Sequence, residues 1–254
     1  MAVSSEQKQA VREFWEAEPC GSKHADAPEG SPEYFAEVER ARYELEPFIA
    51  RYARFDTTAG QAVLEIGVGL GTDFVNFARA GADLTGVDLT EHSIELVSRR
   101  LELEGLRADL RVADAERLPF DDASFDVVYS WGVLHHSPNP QAAIAEAQRV
   151  LKPGGRICVM LYGRRSWVGI GLWLRYALGR GRPWHSLAHV IANHMESPGT
   201  TAYTPAEMTR LFGAIRSVAI GREVTPYDRR VGGPLVRLLA PRLAWFLVAQ
   251  GTKA

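Results

Sequence analysis

Three glycines at alternate positions, Gly67, Gly69 and Gly71, follow the run Val63-Leu64-Glu65-Ile66 and precede Thr72. Glycine permits positive φ and a close backbone approach to a ligand, and a helix opening at Thr72 would offer unpaired N–H groups. Such a junction of strand, loop and helix is a place to hold a bound group. Two carboxylates frame it. Glu65 lies two residues before the first glycine, and Asp88 ends the next apolar run, Leu84-Thr85-Gly86-Val87. A carboxylate at 88 is placed to grip a ribose diol with two hydrogen bonds. Glu65 would repel a pyrophosphate, and would either order the loop or attract an ammonium group. The loop also lacks the glycine spacing of dinucleotide-binding folds. The combination points to a nucleoside cofactor without a diphosphate.

These residues need a scaffold, and the pattern around them supplies one. Short apolar runs at 63–66, 84–87, 110–112, 127–130 and 157–161 alternate with helical segments at 72–80, 91–103 and 140–150. Alternating strands and helices predict a parallel sheet covered on both faces, and right-handed crossovers put the ends carrying Gly67, Asp88, Asp114 and Ser130 along one edge. Ligands bind at that edge in open α/β sheets. Upstream, helices are expected over 5–17 and 32–54, the second opened by Ser31 as cap and Pro32 as first residue. Downstream, Thr204-Pro205-Ala206-Glu207 reads as a capping box for a helix over 205–213. Strands are expected at 218–224 and 245–249, joined by a Pro- and Gly-containing connection over 225–244 that edges the pocket.

Glu65-x-Gly67-x-Gly69-x-Gly71 followed by Asp88 resembles the class I S-adenosylmethionine-dependent methyltransferases of the small-molecule, methyltransferase-11-like type. Asp114-Ala115 before Leu118-Pro119-Phe120, Phe125-Asp126-Val127-Val128-Tyr129-Ser130 leading to Leu134-His135-His136, and Leu151-Lys152-Pro153-Gly154-Gly155 extend the likeness over roughly residues 57 to 161. The resemblance implies a Rossmann-like doubly wound α/β sheet of seven strands in the order 3-2-1-4-5-7-6, the last antiparallel. It implies S-adenosyl-L-methionine as cofactor and S-adenosyl-L-homocysteine as product, with no metal. It places Gly67, Gly69, Gly71 and Thr72 at the methionine and ribose portions, Glu65 at the loop or the amino group, and Asp88 at the ribose hydroxyls. Leu89 would pack on the adenine, with Asp114 and Ala115 at its polar edge, and Ser130 and Trp131 would close the site at the end of the fourth strand. The expected organisation is an N-terminal helical cover over 1–56 and a methyltransferase domain over 57–254, with an inserted cap at 164–200. Tyr34, Arg40 or Tyr43 is expected near the methionine end.

His135 and His136 follow the fourth strand where the sulfonium methyl should point, and histidine is the side chain whose ordinary pKa suits a general base near neutrality. His194 and Glu196, beyond the core, are the other candidates for catalysis. Methyl transfer is an in-line displacement in which positioning can supply most of the rate, so a base is optional. The segment after the fourth strand lacks the acidic or amide residue followed by Pro-Pro and an aromatic that marks methylation of nucleic-acid bases. A small molecule is therefore the expected acceptor, at an O, N, S or C atom. Methylation of nucleic acid or protein, and cofactor binding without transfer, are the rival readings.

With 46% apolar and 24% charged residues in 254, the composition is that of an ordinary folded α/β chain. No apolar run approaches the ~18 residues of a membrane span, and the polar start over 1–16 is unlike a signal peptide, so a cytoplasmic protein is expected. Cys20 and Cys158 form neither a disulfide framework nor a zinc spacing. His185 and His189, four apart, lack a third ligand fixed by spacing. Charge is uneven. Residues 162–254 hold 13 Lys and Arg against 4 Asp and Glu, whereas both earlier parts are acidic. Within them, 164–182 mixes arginines with tryptophans and leucines. Two explanations compete there: a helix docked on the sheet edge with its arginines on the acidic N-terminal helices, or a segment meeting a membrane surface or substrate.

Overall fold

In the computed structural model, residues 5–239 and 242–254 are described; Met1 to Ser4 of the expected cover, and Ala240 and Pro241 of the 225–244 connection, lie outside them. Helix α1 (Ser5–Ala17) is followed by α2 (Pro32–Leu45) and α3 (Ile49–Ala53). The single helix expected over 32–54 is thus two. Pro47 has no N–H to continue the ladder and disfavours helical geometry at Glu46, which becomes the C-cap of α2.

The core then runs β1 (Ala62–Ile66), α4 (Thr72–Arg79), β2 (Asp83–Asp88), α5 (Glu91–Glu104), β3 (Asp109–Val112), β4 (Phe125–Trp131), α6 (Pro140–Val150) and β5 (Leu151–Tyr162). An excursion of α7 (Trp167–Tyr176), α8 (Leu187–His194) and α9 (Pro205–Leu211) leads to β6 (Ile215–Glu223), α10 (Pro226–Gly232), α11 (Leu235–Leu239) and β7 (Phe246–Lys253). The sheet order is β3-β2-β1-β4-β5-β7-β6, with β7 antiparallel to both neighbours. This is the order that the sequence resemblance implies. The expected capping box at Thr204 is present. The 225–244 connection holds α10 and α11, the first opened by a second capping box that Thr225 and Asp228 form around Pro226.

Strand alternation divides the interior into two layers. Val63, Val127, Tyr129, Trp131, Cys158, Met160, Tyr162, Phe246 and Val248 point to one face, and Leu64, Ile66, Val128, Ile157, Val159, Leu161, Leu247 and Ala249 to the other. Glu65 belongs to the first face by its position between Leu64 and Ile66. Gly86, in central strand β2, has no room for a side chain: an added Cβ would lie 2.5 Å from the Phe74 ring and 2.7 Å from Val68. Gly86→Ala is expected to cost about 1–3 kcal/mol by overpacking, measured as a lower urea midpoint with an unchanged denaturant slope.

Candidate functional site

The carboxyl ends of β1, β2, β3 and β4 open into a cavity of about 480 Å³. It lies where strand order reverses between β1 and β4, the position at which open α/β sheets take ligands. Gly67, Gly69 and Gly71 all adopt positive φ. A Cβ on Gly67 would sit 2.3 Å from Val133, so this turn admits no side chain. Asp88 orders the loop: its Oδ2 accepts from the Gly69 N–H at 3.0 Å, and its Oδ1 accepts from the N–H and hydroxyl of Thr90. Glu65 does not make this link. Its Oε2 is buried without a hydrogen-bond partner, and burial, reinforced by Asp73, pushes its pKa well above the carboxylate range. A partnerless buried acceptor at the glycine loop suits a cationic group on a bound molecule.

Arg42 is the cation that the protein itself supplies. Its guanidinium reaches Asp73 at 3.1 Å and Glu46 at 3.3 Å. Burial works against its charge, but these two carboxylates hold its pKa well above its ordinary value. Asp73 also accepts from the hydroxyls of Tyr43 and Tyr129, and Glu46 accepts from the Trp131 indole N–H at 2.7 Å. Arg42 takes the place expected for Tyr34, Arg40 or Tyr43. Tyr34 is packed in a satellite cluster, Arg40 is exposed, and the Tyr43 hydroxyl bonds Thr72, Asp73 and Asn76 of α4.

Of the residues singled out in the sequence, Glu65, Gly67, Gly69, Thr72, Asp88, Leu89, Asp114, Ala115, Trp131, His136 and Glu196 line the cavity. The others do not reach its walls. Gly71 caps α4, and the Ser130 hydroxyl donates to the Ile66 carbonyl. His135 is fully buried with both ring nitrogens unpartnered, its ring 3.9 Å from that of Tyr162. His194 stacks on Tyr176 at 4.1 Å. Asp114 meets Lys8 of α1 at 2.5 Å and its Oδ1 accepts from the Glu116 N–H, so α1 is pinned over that end of the cavity. His185 and His189 pack ring to ring at 4.3 Å, and among the described residues no group of three metal-binding side chains gathers.

Trp15, Trp131, Met160, Tyr162, Tyr227 and Phe246 form an aromatic and apolar stretch of the cavity wall, the chamber. Most of these were not anticipated, although period-two alternation from Glu65 across neighbouring strands points to Trp131, Met160, Tyr162 and Phe246. His136, Glu196 and Glu46 are polar residues beside it. The two Nδ1 contacts of His136 are with Thr200 Oγ1 at 3.0 Å and Ser197 Oγ at 2.8 Å. The Thr200 hydroxyl also donates to the Ser197 carbonyl. Nε2 is buried without a hydrogen-bond partner, 3.6 Å from Glu196. The Tyr162 hydroxyl donates to Glu196, whose pKa is nevertheless raised by burial.

A methyltransferase domain model matches residues 64–159. Methyltransferase GfsG of Streptomyces halstedii is 36% identical over 111 residues, 42% of this chain and 40% of that protein. A demethylmenaquinone methyltransferase of Tropheryma whipplei is 36% identical over 127 residues, 48% of this chain and 52% of its own. Over residues 64–159 the sequence is thus that of a methyltransferase domain. The chain spans about half or less of the length of these curated relatives. The geranyl diphosphate C-methyltransferase of Streptomyces coelicolor, solved with S-adenosyl-L-homocysteine, superposes with a TM-score of 0.66 at 18% identity, over 99% of both chains. The methyltransferase fold therefore extends well beyond the matched core.

Burial lowers the His136 pKa to about 3 from 6.5. The unfolded chain takes up a proton here as pH falls through 6.5, and the folded protein does not until about pH 3. Stability from this group is complete above 6.5 and is lost on acidification. Glu46, Glu65 and Glu196, with raised pKa values, act in the opposite sense. Comparison with a variant isolates the histidine. The stability lost between pH 7 and 4.5 is expected to be smaller in His136→Gln than in the parent by on the order of 2 kcal/mol, read from urea unfolding at each pH.

Proposed function

We propose that this methyltransferase moves the methyl group of S-adenosyl-L-methionine to a small, largely apolar acceptor whose hydroxyl, amine or acidified C–H faces His136 and Glu196. The observation that carries the reading is Glu65 Oε2, buried and partnerless at the glycine loop, in a cavity whose wall also holds an aromatic cluster and His136 3.6 Å from Glu196. When bound, the cofactor supplies an electrophilic methyl on a sulfonium centre. Glu65 would meet its ammonium group, Asp88 its ribose hydroxyls, and Leu89 and Ala115 its adenine. Asp114, held by Lys8, would bound the adenine from the side of α1.

The remaining work falls to the chamber. Trp131, Met160, Tyr162 and Phe246 exclude water and orient a flat or branched apolar body, so that the acceptor atom is held in line with the methyl. His136 Nε2 takes the acceptor's proton as the new bond to carbon forms, and the Glu196 carboxylate stabilises the imidazolium that results. The demethylmenaquinone and geranyl diphosphate specificities in the names of the similar proteins are consistent with an apolar acceptor.

Two measurements test this reading. Burial raises the Glu65 pKa and an ammonium group docked against it would lower it, so binding favours loss of a proton held there. Calorimetry of S-adenosyl-L-homocysteine at pH 7 in buffers of different ionisation enthalpy should report proton release, and Glu65→Gln should abolish the release and weaken binding on the order of tenfold. His136→Gln and Glu196→Gln should each lower turnover on the order of 10²-fold while cofactor affinity stays within a factor of about three. Equal loss of cofactor affinity in those two variants would remove them from the proton-transfer role.

A further inference from the structure

Val168 and Leu172 of α7 pack on the core, but among the described residues no arginine of 164–182 pairs with a carboxylate of the N-terminal helices, which corrects that part of the first explanation. Arg164 pairs with Glu207, and Arg175 and Arg180 lie over the ring of Tyr176. The four acids of the C-terminal third are engaged elsewhere. Glu207 holds Arg164, Glu223 meets Arg51 and Tyr52, Asp228 is buried in its capping box, and Glu196 faces the chamber. Among the described residues, Arg175, Arg180, Arg182, Arg229, Arg230 and Arg237 have no carboxylate partner.

The same elements expose large apolar side chains. Leu174, Leu178 and Trp184 follow or lie on α7, and Val231, Leu235 and Leu238 lie on α10 and α11, with Trp184 74% and Leu238 78% exposed. Helices α7 and α10 pack together, with Val231 against Gly171. Most of the exposed large hydrophobic side chains of the described residues are therefore gathered on one group of packed helices and interleaved with unpaired arginines. Leucines and a tryptophan among arginines form the composition of a surface that lies in a lipid interface, with apolar groups entering the acyl boundary and guanidinium groups meeting headgroup phosphates. No described helix is long and apolar enough to cross a membrane, so the fit is to a bilayer surface.

We propose that the α7–α10–α11 side of this protein docks on an anionic lipid bilayer. Charge complementarity selects the occupant: six arginines without carboxylate partners call for a dense anionic surface, and the apolar side chains between them call for one with an accessible hydrocarbon layer. Tyr227, on α10, is both 47% exposed and part of the chamber wall. Docking on this side brings the chamber rim to the lipid, a route for an apolar acceptor that rests on the methyl-transfer reading, whereas the docking itself does not.

Flotation of the full chain with vesicles tests the docking without cofactor or acceptor. The protein should float with equimolar phosphatidylglycerol–phosphatidylcholine vesicles at low salt and not with phosphatidylcholine alone. Binding should weaken at least about tenfold when salt rises from ~0.05 M to ~0.5 M. Leu235→Asp/Leu238→Asp and, separately, Arg180→Glu/Arg182→Glu should each reduce binding by a similar factor, with the parent's melting temperature retained. Absence of flotation with anionic vesicles at low salt, equal flotation with both compositions, or binding unchanged in both variants would overturn the proposal. So would a dimeric parent that Leu235→Asp/Leu238→Asp converts to monomer, because the patch would then serve a second copy of the chain.

Discussion

The site depends on an excess of buried negative charge. Three carboxylates, Glu65, Asp73 and Glu46, surround the inner end of the cavity, and Arg42 is the guanidinium set among them. Asp73 and Glu46 are served by Arg42 and by tyrosine and tryptophan donors, which leaves Glu65 without a partner. A buried carboxylate in that position either keeps a proton or waits for a cation. The glycines at 67 and 69 leave the loop without side chains beside it, and Asp88 holds that loop from the neighbouring strand.

The covering elements extend the same logic. Pro47 ends α2 where Glu46 can reach both Arg42 and Trp131, so a break in a helix sets the inner wall of the chamber. Helix α1 contributes Trp15 to the wall and is tied by Lys8 to Asp114 and Glu116, and by Glu16 to the first N–H groups of α5. Beside these polar ties, Val11 is buried and Trp15 packs edge-on against the His136 ring, so α1 is held by apolar contacts as well.

The sheet was legible in the sequence because each strand is a short apolar run ended by a turn and each crossover is a periodic helix. The glycine loop and Asp88 were legible because their spacing carries a mechanism. Other features were hidden for physical reasons. Thr225-Pro226-Tyr227-Asp228 has the same capping logic as Thr204-Pro205-Ala206-Glu207, but the nearby Gly232-Gly233 and Pro234 read as loop signals and masked α10 and α11. His135 and His136 are neighbours of one type, and only the three-residue turn at 134–136 decides that the first is buried under Tyr162 while the second faces the cavity. Arg42 was not singled out, because helical periodicity does not distinguish a residue facing apolar neighbours from one facing buried acids.

The central claim is that Glu65 is the receptor of a cofactor's ammonium group and that the transferable methyl then faces the chamber of His136 and Glu196. A crystal structure of the protein with S-adenosyl-L-homocysteine tests it directly. The account predicts the amino nitrogen within hydrogen-bonding distance of a Glu65 carboxylate oxygen and the sulfur turned toward Trp131 and His136. An amino group directed away from Glu65, or a sulfur facing the side of Lys8 and Asp114, would contradict it.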